Sequence, residues 1–378
     1  MNSSVTTKPS PSDVHHMRAA LALARRGLGN AWPNPAVGCI LVAPPEAGGH
    51  VVGRGWTQPG GRPHAETEAL RRAGARAVGA TAYLSLEPCC HHGETPPCAE
   101  ALVAAGIRRA LVALVDPDPR VAGAGISGLE AAGIEVVSGV CDDEARIVNE
   151  GYILRETAAR PLITLKLASS LDGRIAARSG DSRWITGAPA RAAAHALRAS
   201  FDAVVIGSGT ALADDPRLTC RLPGMEERSP VRIVLDGRLR LPPDCHLVAE
   251  ARRFPTWLVT IAGYAAERTR VYRDAGLEVI ESPATDGSPD LTFTVREFAD
   301  RGLTRVLVEG GGTLAASFLR AGLVDRVAWF RAPRMIGGDG VAAAGPIGIE
   351  RVGDAPRFVR TFLAGIEPDV VEHYRHET

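Results

Sequence analysis

The stretch "GGRPHAETEAL", residues 60–70, places an imidazole and a carboxylate two residues apart. His64 and Glu66 stand behind two glycines and a proline, where the pattern predicts the first turn of a helix. The pair has two interpretations: a metal ligand with its acid–base partner, or a solvated helix end whose acidic residues favour the helix dipole. Because His-x-Glu is common, the pair alone favours the solvated helix end, and the rest of the chain must decide.

The segment "SLEPCCHHGETPPCAEAL", residues 85–102, changes that balance. Cys89 follows a predicted strand and a proline, and Cys98 opens a predicted helix, where the helix dipole lowers the pKa of a thiol. Three protein ligands with one open position are typical of a catalytic zinc site. We therefore predict that His64, Cys89 and Cys98 bind one zinc ion, while Glu66 carries protons without ligating it.

A His/Cys/Cys zinc site with a non-ligating glutamate is typical of nucleobase deaminases. In that class zinc lowers the pKa of its bound water, and the glutamate passes the proton to the leaving amine. The two cysteines here are nine residues apart rather than three. A closed structural zinc site is the alternative, with a fourth ligand from Cys90, His91 or His92.

The composition of the chain excludes several classes of protein. A chain of 378 residues is too long for one ordinary hydrophobic core, so we expect two domains. Basic and acidic residues balance at 43 each, which argues against a nucleic-acid-binding protein. No segment has the apolar length of a membrane helix, and residues 1–12 are typical of a disordered tail rather than a signal peptide. The seven cysteines are odd in number and three of them cluster, which favours a reducing compartment, so we expect a cytoplasmic protein.

Apolar periodicity predicts that helices and strands alternate in both halves of the chain, which indicates an α/β fold for each. The pattern restarts near residue 150, and we place the boundary near Arg160, giving domains at 13–160 and 161–378. In the first half we predict a helix capped by Asp13, further helices at 64–74 and 97–106, and strands at 36–42, 50–56 and 81–88. In the second half we predict strands at 202–206, 231–235, 256–260, 278–281 and 304–308, and helices at 188–199, 295–301 and 313–321.

Three segments of the second half combine glycines with polar side chains: residues 164–187, 204–221 and 304–319. Glycines let a backbone approach a phosphate, and a helix N-terminus attracts its charge. Gly310, Gly312 and Ala315 fit G-x-G-x-x-A, although no acidic residue follows at the distance of a Rossmann fold. A tight strand-to-helix turn explains each glycine cluster equally well.

The motifs "NPAVGC" (34–39), "HAE" (64–66) and "EPCCHHGETPPC" (87–98) resemble the deaminase half of the bifunctional riboflavin-biosynthesis deaminase–reductase family. The longer cysteine spacing is usual there. The resemblance implies a cytidine-deaminase-like α/β/α sandwich with the zinc ligands and proton shuttle named above. It also implies that Asn34 contacts the pyrimidine and that His91 lines the pocket. Without the resemblance, Asn34 is a turn residue before a proline and His91 is a solvated loop residue.

The three glycine-containing segments resemble the reductase half of the same family, so the resemblance extends to about residue 372. It implies a dihydrofolate-reductase-like fold that uses NADPH. The residues implied to contact the cofactor are Ala168, Trp184, Thr210, Asp214, Gly311, Gly312 and Thr313. Those implied to hold the substrate phosphate are Ser182, Arg198, Leu218, Arg221 and Glu309. Lys166, Asp214 and Glu309 can orient or protonate the sugar chain, which makes Lys166 and Asp214 our catalytic candidates. A core aromatic explains Trp184 otherwise, and a solvated face explains Lys166 and Arg198.

Two residues depart from the pattern of the family. Cys90 stands where the family usually has serine, and Glu94 stands where it usually has a lysine or arginine that helps bind substrate phosphate. A carboxylate repels phosphate, so either Arg54 or Arg62 supplies the cation or the deaminase affinity is reduced.

These observations predict two successive activities on small-molecule pyrimidine ribosyl phosphates. The first is zinc-dependent deamination of 2,5-diamino-6-ribosylamino-4(3H)-pyrimidinone 5′-phosphate, and the second is NADPH-dependent reduction of the ribosyl to the ribityl chain. The family resemblance implies a homo-oligomer, a dimer or tetramer. Two rival hypotheses are a single-activity deaminase with an accessory domain and a nucleotide-binding regulator with inactive sites. The intact zinc motif counts against the regulator, and the second-half segments count against the single activity.

Overall fold

The computed structural model describes residues 8–91, 96–264 and 266–377. The chain divides into two compact units, Met1–Ala159 and Arg160–Thr378. In the part of the chain described, no helix is both long and apolar enough to cross a membrane.

The N-terminal unit is built on a five-stranded sheet of order β2-β1-β3-β4-β5. β1 runs antiparallel to β2 and β3, and β3, β4 and β5 are parallel. Its strands are β1 (Gly38–Val42), β2 (Val51–Trp56), β3 (Thr81–Leu84), β4 (Arg109–Val112) and β5 (Glu135–Ser138). Its helices are α1 (Pro11–Ala24), α2 (Ala65–Ala73), α3 (Cys98–Ala104), α4 (Ala124–Ala131) and α5 (Asp142–Ala158).

Two glycines let helices pack directly on the two faces of this sheet. A Cβ on Gly38 would lie 1.9 Å from the Ala20 carbonyl oxygen of α1, and one on Gly55 would lie 2.0 Å from the Ala65 carbonyl oxygen of α2. Gly55 pairs with Cys39, the neighbour of Gly38, and successive strand residues face opposite sides of a sheet. The helices α1 and α2 therefore cover opposite faces, as the predicted α/β/α sandwich requires.

The first helix differs from the sequence prediction. It begins at Pro11, inside the segment predicted to be a tail, and Ser10 rather than Asp13 is its N-cap. Asp13 completes a capping box with Ser10 and also accepts hydrogen bonds from Tyr83 and Arg109. These partners lie far away in sequence, so the local cap pattern did not reveal them.

The C-terminal unit is built on a nine-stranded sheet of order β11-β10-β9-β8-β14-β6-β15-β18-β17. Strands from β11 to β15 in this order are parallel, and β18 and β17 are antiparallel. The sheet strands are β6 (Leu162–Ser169), β8 (Ala203–Gly207), β9 (Val231–Leu235), β10 (Thr256–Ile261), β11 (Glu278–Ser282), β14 (Arg305–Val308), β15 (Arg326–Arg331), β17 (Phe358–Ile366) and β18 (Asp369–His376). Two short pairs join β7 (Arg174–Ala176) to β16 (Val341–Ala342) and β12 (Ala284–Thr285) to β13 (Ser288–Pro289).

The helices of this unit are α6 (Ala188–Arg198), α7 (Ser208–Asp214), α8 (His246–Ala249), α9 (Ala266–Ala275), α10 (Leu291–Asp300) and α11 (Gly312–Arg320). The five predicted strands are all present. The helix predicted at 295–301 starts earlier, because the Asp290 side chain caps it by accepting from the Phe293 amide. The predictions did not include β15 or the β17–β18 hairpin, and β17 is an edge strand whose largely exposed residues carry no clear apolar alternation.

Candidate active sites

The first site lies at the N-terminus of α2, which Gly55 allows to approach the sheet. His64 is the N-cap of α2, Cys89 follows β3, and Cys98 is the first residue of α3. The His64 Nδ1 atom lies 3.3 Å from Cys98 Sγ and 3.6 Å from Cys89 Sγ. All three ligand atoms lie within 4.8 Å of one another. Zinc binds nitrogen at about 2.0 Å and sulfur at about 2.3 Å, so one ion fits between these atoms.

The electrostatics of the cluster suit a metal cation. Cys89 Sγ accepts a hydrogen bond from the Cys98 amide at 3.3 Å. Hydrogen bonds from the Cys98 thiol and from His64 lower the pKa of Cys89 to about 4, despite its burial. These hydrogen bonds favour the thiolate of Cys89, the form that binds zinc. Cys90 lies outside the cluster, and its Sγ donates to the Arg120 carbonyl oxygen at 3.8 Å.

Glu66 occupies the first turn of α2, directly beside these ligands. Its side chain is only 3% exposed, and burial raises its pKa. The Oε2 atom is buried without a hydrogen-bond partner among the residues that the structure describes. A buried polar atom without a partner is unfavourable, so this oxygen is available to a group that enters the site.

Of the two predicted pyrimidine contacts, Asn34 is the closer to the ligands. Its Nδ2 donates to the Gly61 carbonyl oxygen at 3.0 Å and lies 3.3 Å from His64 Nε2. His91 is exposed; the hydrogen bond from Arg120, with a smaller contribution from His91, lowers the pKa of Asp118. The structure therefore brings Asn34 to His64 and places His91 near the Asp118 carboxylate.

The structure describes only some of the residues that bear on phosphate binding at the first site. Glu94, like His92, lies outside the described residues. Arg54 is exposed on β2. A hydrogen bond to Cys89 raises the pKa of His64, and burial and the charge of Arg62 oppose that rise. Arg62 is therefore close enough to His64 to act on it electrostatically.

A loop after β4 borders the first site, and the sequence predictions did not include it. Glu87 is buried and accepts hydrogen bonds from the amides of Asp116, Gly123 and Ile126 at 2.9–3.1 Å. Burial raises the pKa of Asp116 to about 6, and its Oδ1 accepts from the Tyr152 hydroxyl at 3.1 Å. The sequence signal was present in "DPDP", an acidic run directly after a strand that neighbours the Cys89 strand.

The second site is a cavity of about 880 Å³ in the C-terminal unit. The carboxyl-terminal ends of the parallel strands β6, β8 and β14 border it, which is the usual place for a ligand in an open parallel sheet. The predicted site residues that line it are Lys166, Ala168, Ser182, Arg198, Thr210, Asp214, Leu218, Glu309, Gly311, Gly312 and Thr313.

Three buried charges meet inside this cavity. Glu309 accepts from Arg198 at two points, 2.5 Å from Nε and 2.9 Å from Nη2. The Lys166 Nζ atom lies 3.7 Å from Glu309 Oε2. Burial lowers the pKa of Lys166, and the charge of Glu309 opposes that shift. The cavity therefore holds a fixed carboxylate beside two cations.

The glycine cluster forms the turn between β14 and α11. The Gly311 amide donates to Thr210 Oγ1 at 3.1 Å. A Cβ on Gly312 would lie 2.3 Å from the Ala342 carbonyl oxygen, so this position excludes a side chain. The arrangement leaves the N-terminus of α11 at the cavity, as a phosphate site requires.

Two predicted residues do not line the cavity. Trp184 is 61% exposed, and the Arg191 guanidinium lies 4.4 Å from its ring centroid. The alternative of a core aromatic is therefore wrong for Trp184. Arg221 is exposed over much of its side chain. Burial of the remaining part, together with the charges of Arg198 and Arg217, lowers the pKa of its guanidinium, so Arg221 lies near the cavity residue Arg198.

Comparisons with known proteins cover both sites. Residues 10–114 match the cytidine and deoxycytidylate deaminase zinc-binding region, and residues 161–369 match the RibD C-terminal domain. The riboflavin biosynthesis protein RibD of Escherichia coli is 40% identical over 372 residues, covering 96% of this chain and 98% of that protein. The chain belongs to the RibD family.

Solved RibD structures have the same two-domain fold. RibD of Acinetobacter baumannii superposes with a TM-score of 0.86 at 37% identity, covering 97% of this chain and 99% of the other. The diaminohydroxyphosphoribosylaminopyrimidine deaminase/5-amino-6-(5-phosphoribosylamino)uracil reductase of Thermotoga maritima superposes with a TM-score of 0.83 at 31% identity and the same coverage.

As a RibD protein, the chain is a bifunctional enzyme of riboflavin biosynthesis, a deaminase and a reductase. The prediction of two activities is confirmed, and so are the deaminase-like and reductase folds. A single-activity deaminase with an accessory domain is wrong, because the second half is itself the RibD reductase domain. The regulator hypothesis is wrong for the same reason.

Sequence reasoning missed two cations of the RibD reductase cavity. Arg238 and Arg240 line it, beside Ser208 and Ser288. Arg240 Nη2 donates to Ser208 Oγ at 2.6 Å. The signal was the segment "DGRLR" after β9, where two arginines follow the carboxyl end of a parallel strand.

Proposed function

We propose that the N-terminal unit deaminates 2,5-diamino-6-ribosylamino-4(3H)-pyrimidinone 5′-phosphate at a zinc site of His64, Cys89 and Cys98. The observation that carries this proposal is the cluster of three ligand atoms within 4.8 Å, with a buried carboxylate two residues from the histidine. Zinc, when bound, lowers the pKa of the water that attacks the ring carbon. Glu66 accepts the proton of that water and delivers it to the departing nitrogen, which leaves as ammonia.

Asn34 and His91 have distinct roles in this proposal. The Asn34 amide, fixed by Gly61 and beside His64, presents the pyrimidine ring to the zinc site. His91 contacts the substrate at the exposed rim of the site, where its ribose phosphate would extend. Arg62 supplies positive charge in place of the cation usual at position 94, and Cys90 takes no part as a ligand.

For the C-terminal unit we propose NADPH-dependent reduction of the ribosyl chain to ribityl. Ala168, Thr210, Asp214 and the turn from Gly311 to Thr313 contact the cofactor, and Trp184 covers it from the rim. Ser182, Arg198, Leu218, Arg221 and Glu309 hold the substrate. Two arginines suit a phosphate because guanidinium groups bind it with paired hydrogen bonds.

The charged residues of the cavity favour Lys166 as the proton donor and NADPH as the cofactor. Despite its burial, Arg198 and Lys166 lower the pKa of Glu309 to about 2, so Glu309 holds no proton to donate. Lys166, whose pKa burial lowers, is the better donor when hydride reaches C1′ of the sugar chain. Arg238 and Arg240 provide positive charge for the 2′-phosphate that distinguishes NADPH from NADH.

We also propose a cytoplasmic homo-oligomer with the domain boundary near residue 160. All seven cysteines are free thiols, as a reducing compartment favours. The edge strand β17 exposes Val359, Phe362 and Leu363, an apolar set that a second copy can cover.

One optical assay tests both activities together. NADPH oxidation is followed with zinc-loaded protein and the undeaminated pyrimidinone phosphate as the only substrate, so the signal requires both sites. We expect steady oxidation that Glu66→Gln abolishes and that the deaminated compound restores. No oxidation with either compound would overturn the reductase proposal. Oxidation with the deaminated compound alone would overturn the deaminase proposal.

A further inference from the structure

One side of α5 contacts the loops of the deaminase site. Asn149, Tyr152 and Arg155 recur every third residue, so their side chains share one side of the helix. Asn149 and Arg155 contact the turn that carries Asn34, and Tyr152 contacts Asp116 in the loop after β4. The sequence predictions singled out none of the three, and none belongs to the ligand cluster.

Asn149 and Arg155 hold the turn on either side of Asn34. Asn149 is only 2% exposed, and its Oδ1 accepts a hydrogen bond from the Ala36 amide at 3.1 Å. The Arg155 guanidinium donates to the carbonyl oxygen of Pro33. The helix α5 is therefore bonded to the residue directly before Asn34 and to the second residue after it.

The far end of the Asn34 side chain is fixed by the segment that leads into α2. Its Nδ2 lies 3.0 Å from the Gly61 carbonyl oxygen and 3.3 Å from His64 Nε2. Asn34 thus spans the space between α5 and the zinc-ligand histidine. A shift of the turn away from α5 would move this amide relative to His64 and to any ring bound beside it.

Hydrogen bonds to Thr57 hold the turn independently of Asn149. The Thr57 hydroxyl accepts from the Val37 amide at 2.9 Å and donates to the Pro35 carbonyl oxygen at 3.0 Å. Loss of the Asn149 bond therefore leaves the turn connected to Thr57 and, through Pro33, to Arg155, while its other side at Ala36 is no longer bonded to α5.

Helix packing does not explain why an amide occupies position 149. The Asn149 Nδ2 atom is buried and has no hydrogen-bond partner in the described part of the chain. A buried donor without a partner is unfavourable, and an apolar side chain of similar size would pack without that penalty. The Oδ1 atom that receives the Ala36 amide is the contact that requires a polar residue here.

We propose that Asn149 is a positioning residue for deamination, which acts by fixing the turn that carries Asn34. This inference rests on the proposed function, in which Asn34 contacts the pyrimidine.

The test compares four variants of the full-length, zinc-loaded protein. Asn149→Leu removes the acceptor, Asn149→Asp keeps an oxygen in its place, and Ile147→Ala is a control on an exposed part of the same helix. Asn34→Ala tests the residue through which Asn149 acts. For each variant we measure KM and kcat from ammonia release, zinc content, and NADPH oxidation with the deaminated compound.

For Asn149→Leu we expect kcat/KM of deamination to fall by about 10–100-fold, as is typical when a residue that orients an active-site group is lost. The rise in KM should exceed the fall in kcat, since ring placement is what changes. Zinc content and reductase activity should stay at the wild-type level. Asn149→Asp should recover most of the loss, and Ile147→Ala should match wild type.

Four results would overturn the inference, three of them obtained with the variants of Asn149. The first is wild-type deamination by Asn149→Leu. The second is a loss of zinc or reductase activity in parallel with deamination, which would assign Asn149 to folding. The third is an equal loss in Asn149→Asp. If Asn34→Ala deaminates normally, the proposed role of Asn34 fails and the inference with it, whereas no ammonia from the wild type would refute the proposed function itself.

Discussion

The carboxylate of Glu309 and the guanidinium of Arg198 lie edge to edge in the C-terminal cavity, with two hydrogen bonds of 2.5 and 2.9 Å. Both side chains are largely buried. The Arg198 guanidinium also donates to the carbonyl oxygen of Thr219, two residues before Arg221, at 3.1 Å. Glu309 therefore determines where the principal cation of the cavity stands.

Glu309→Gln should disable reduction without affecting deamination. Glutamine has the same size, but it cannot accept two charge-assisted bonds from Arg198, so the guanidinium moves. Misplacement of a positioning group by about 1 Å costs about 100-fold in rate, and we expect a loss of that size in NADPH oxidation with the deaminated compound. Ammonia release from the undeaminated compound, measured on the same sample, should be unchanged. A variant that oxidises NADPH normally would contradict this role.

Glu66→Gln should abolish deamination while zinc remains bound. The amide keeps the shape of the side chain but cannot carry the proton, and removal of a general acid–base group costs about 100- to 10,000-fold. Glu68→Gln is a matched control, because Glu68 lies in the same turn and is paired with Arg71 and Arg72 instead. The comparison uses ammonia release and metal analysis. Equal losses in the two variants would show that the turn, not the proton shuttle, was disturbed.

Cys89→Ala and Cys90→Ser should separate the ligand from its neighbour. Cys89 Sγ is a member of the three-atom cluster, whereas Cys90 Sγ faces the Arg120 carbonyl oxygen. We expect Cys89→Ala to lose its zinc and its deamination, and Cys90→Ser to retain both. The zinc content of both variants is measured after dialysis. Loss of zinc from Cys90→Ser would favour the closed four-ligand site.

Asp116→Asn should stabilise the protein at alkaline pH and not at acid pH. Burial raises the pKa of Asp116 from 3.8 to about 6, so the native state binds a proton more tightly than the unfolded state. Ionisation therefore destabilises the native state as pH rises through this interval, by up to about 3 kcal/mol. Asparagine keeps the Oδ1 acceptor for Tyr152 and carries no charge. The thermal midpoint of the variant should exceed that of the wild type at about pH 8, and the difference should vanish near about pH 4. An equal gain at both pH values would contradict the assignment.

Gly311→Ala and Gly312→Ala should have different effects on the reductase. A Cβ on Gly312 meets the Ala342 backbone at 2.3 Å, whereas one on Gly311 meets only Thr210 Oγ1, at 3.6 Å. We expect Gly312→Ala to lower the thermal midpoint and Gly311→Ala to leave it unchanged. If the Gly311 backbone lies against the cofactor, the added Cβ of Gly311→Ala still raises KM for NADPH. An unchanged KM for Gly311→Ala would remove that residue from the cofactor site.

The sequence was most informative where chemistry and local structure coincide. His64, Glu66 and Cys98 each sit at a helix start that local capping and proline patterns predict, so their spacing was enough to place them near one another. The parallel strands β8, β9, β10, β11 and β14 were predicted because each carries a run of buried apolar residues. The turn at Gly311 was predicted from its glycine cluster, which separates a predicted strand from a predicted helix.

The sequence was least informative where a contact joins distant segments. The bond between Asn149 and Ala36 spans 113 residues, and no local period indicates it. Arg238 and Arg240 belong to a cavity whose walls come from many segments that are distant in sequence, so their charge alone did not assign them. The β17–β18 hairpin was missed because its edge strand is exposed on both faces and shows no alternation of apolar and polar residues.

Glu87 has a consequence for how small a working deaminase can be made. Among the residues that the structure describes, this buried carboxylate, two residues before Cys89, accepts hydrogen bonds from the amides of residues 116, 123 and 126. A fragment that stops at residue 114, where the match to the zinc-binding region ends, would remove these donors from a carboxylate two residues before the proposed zinc ligand Cys89. By this argument the smallest autonomous deaminase extends past the match to the zinc-binding region, at least through residue 126.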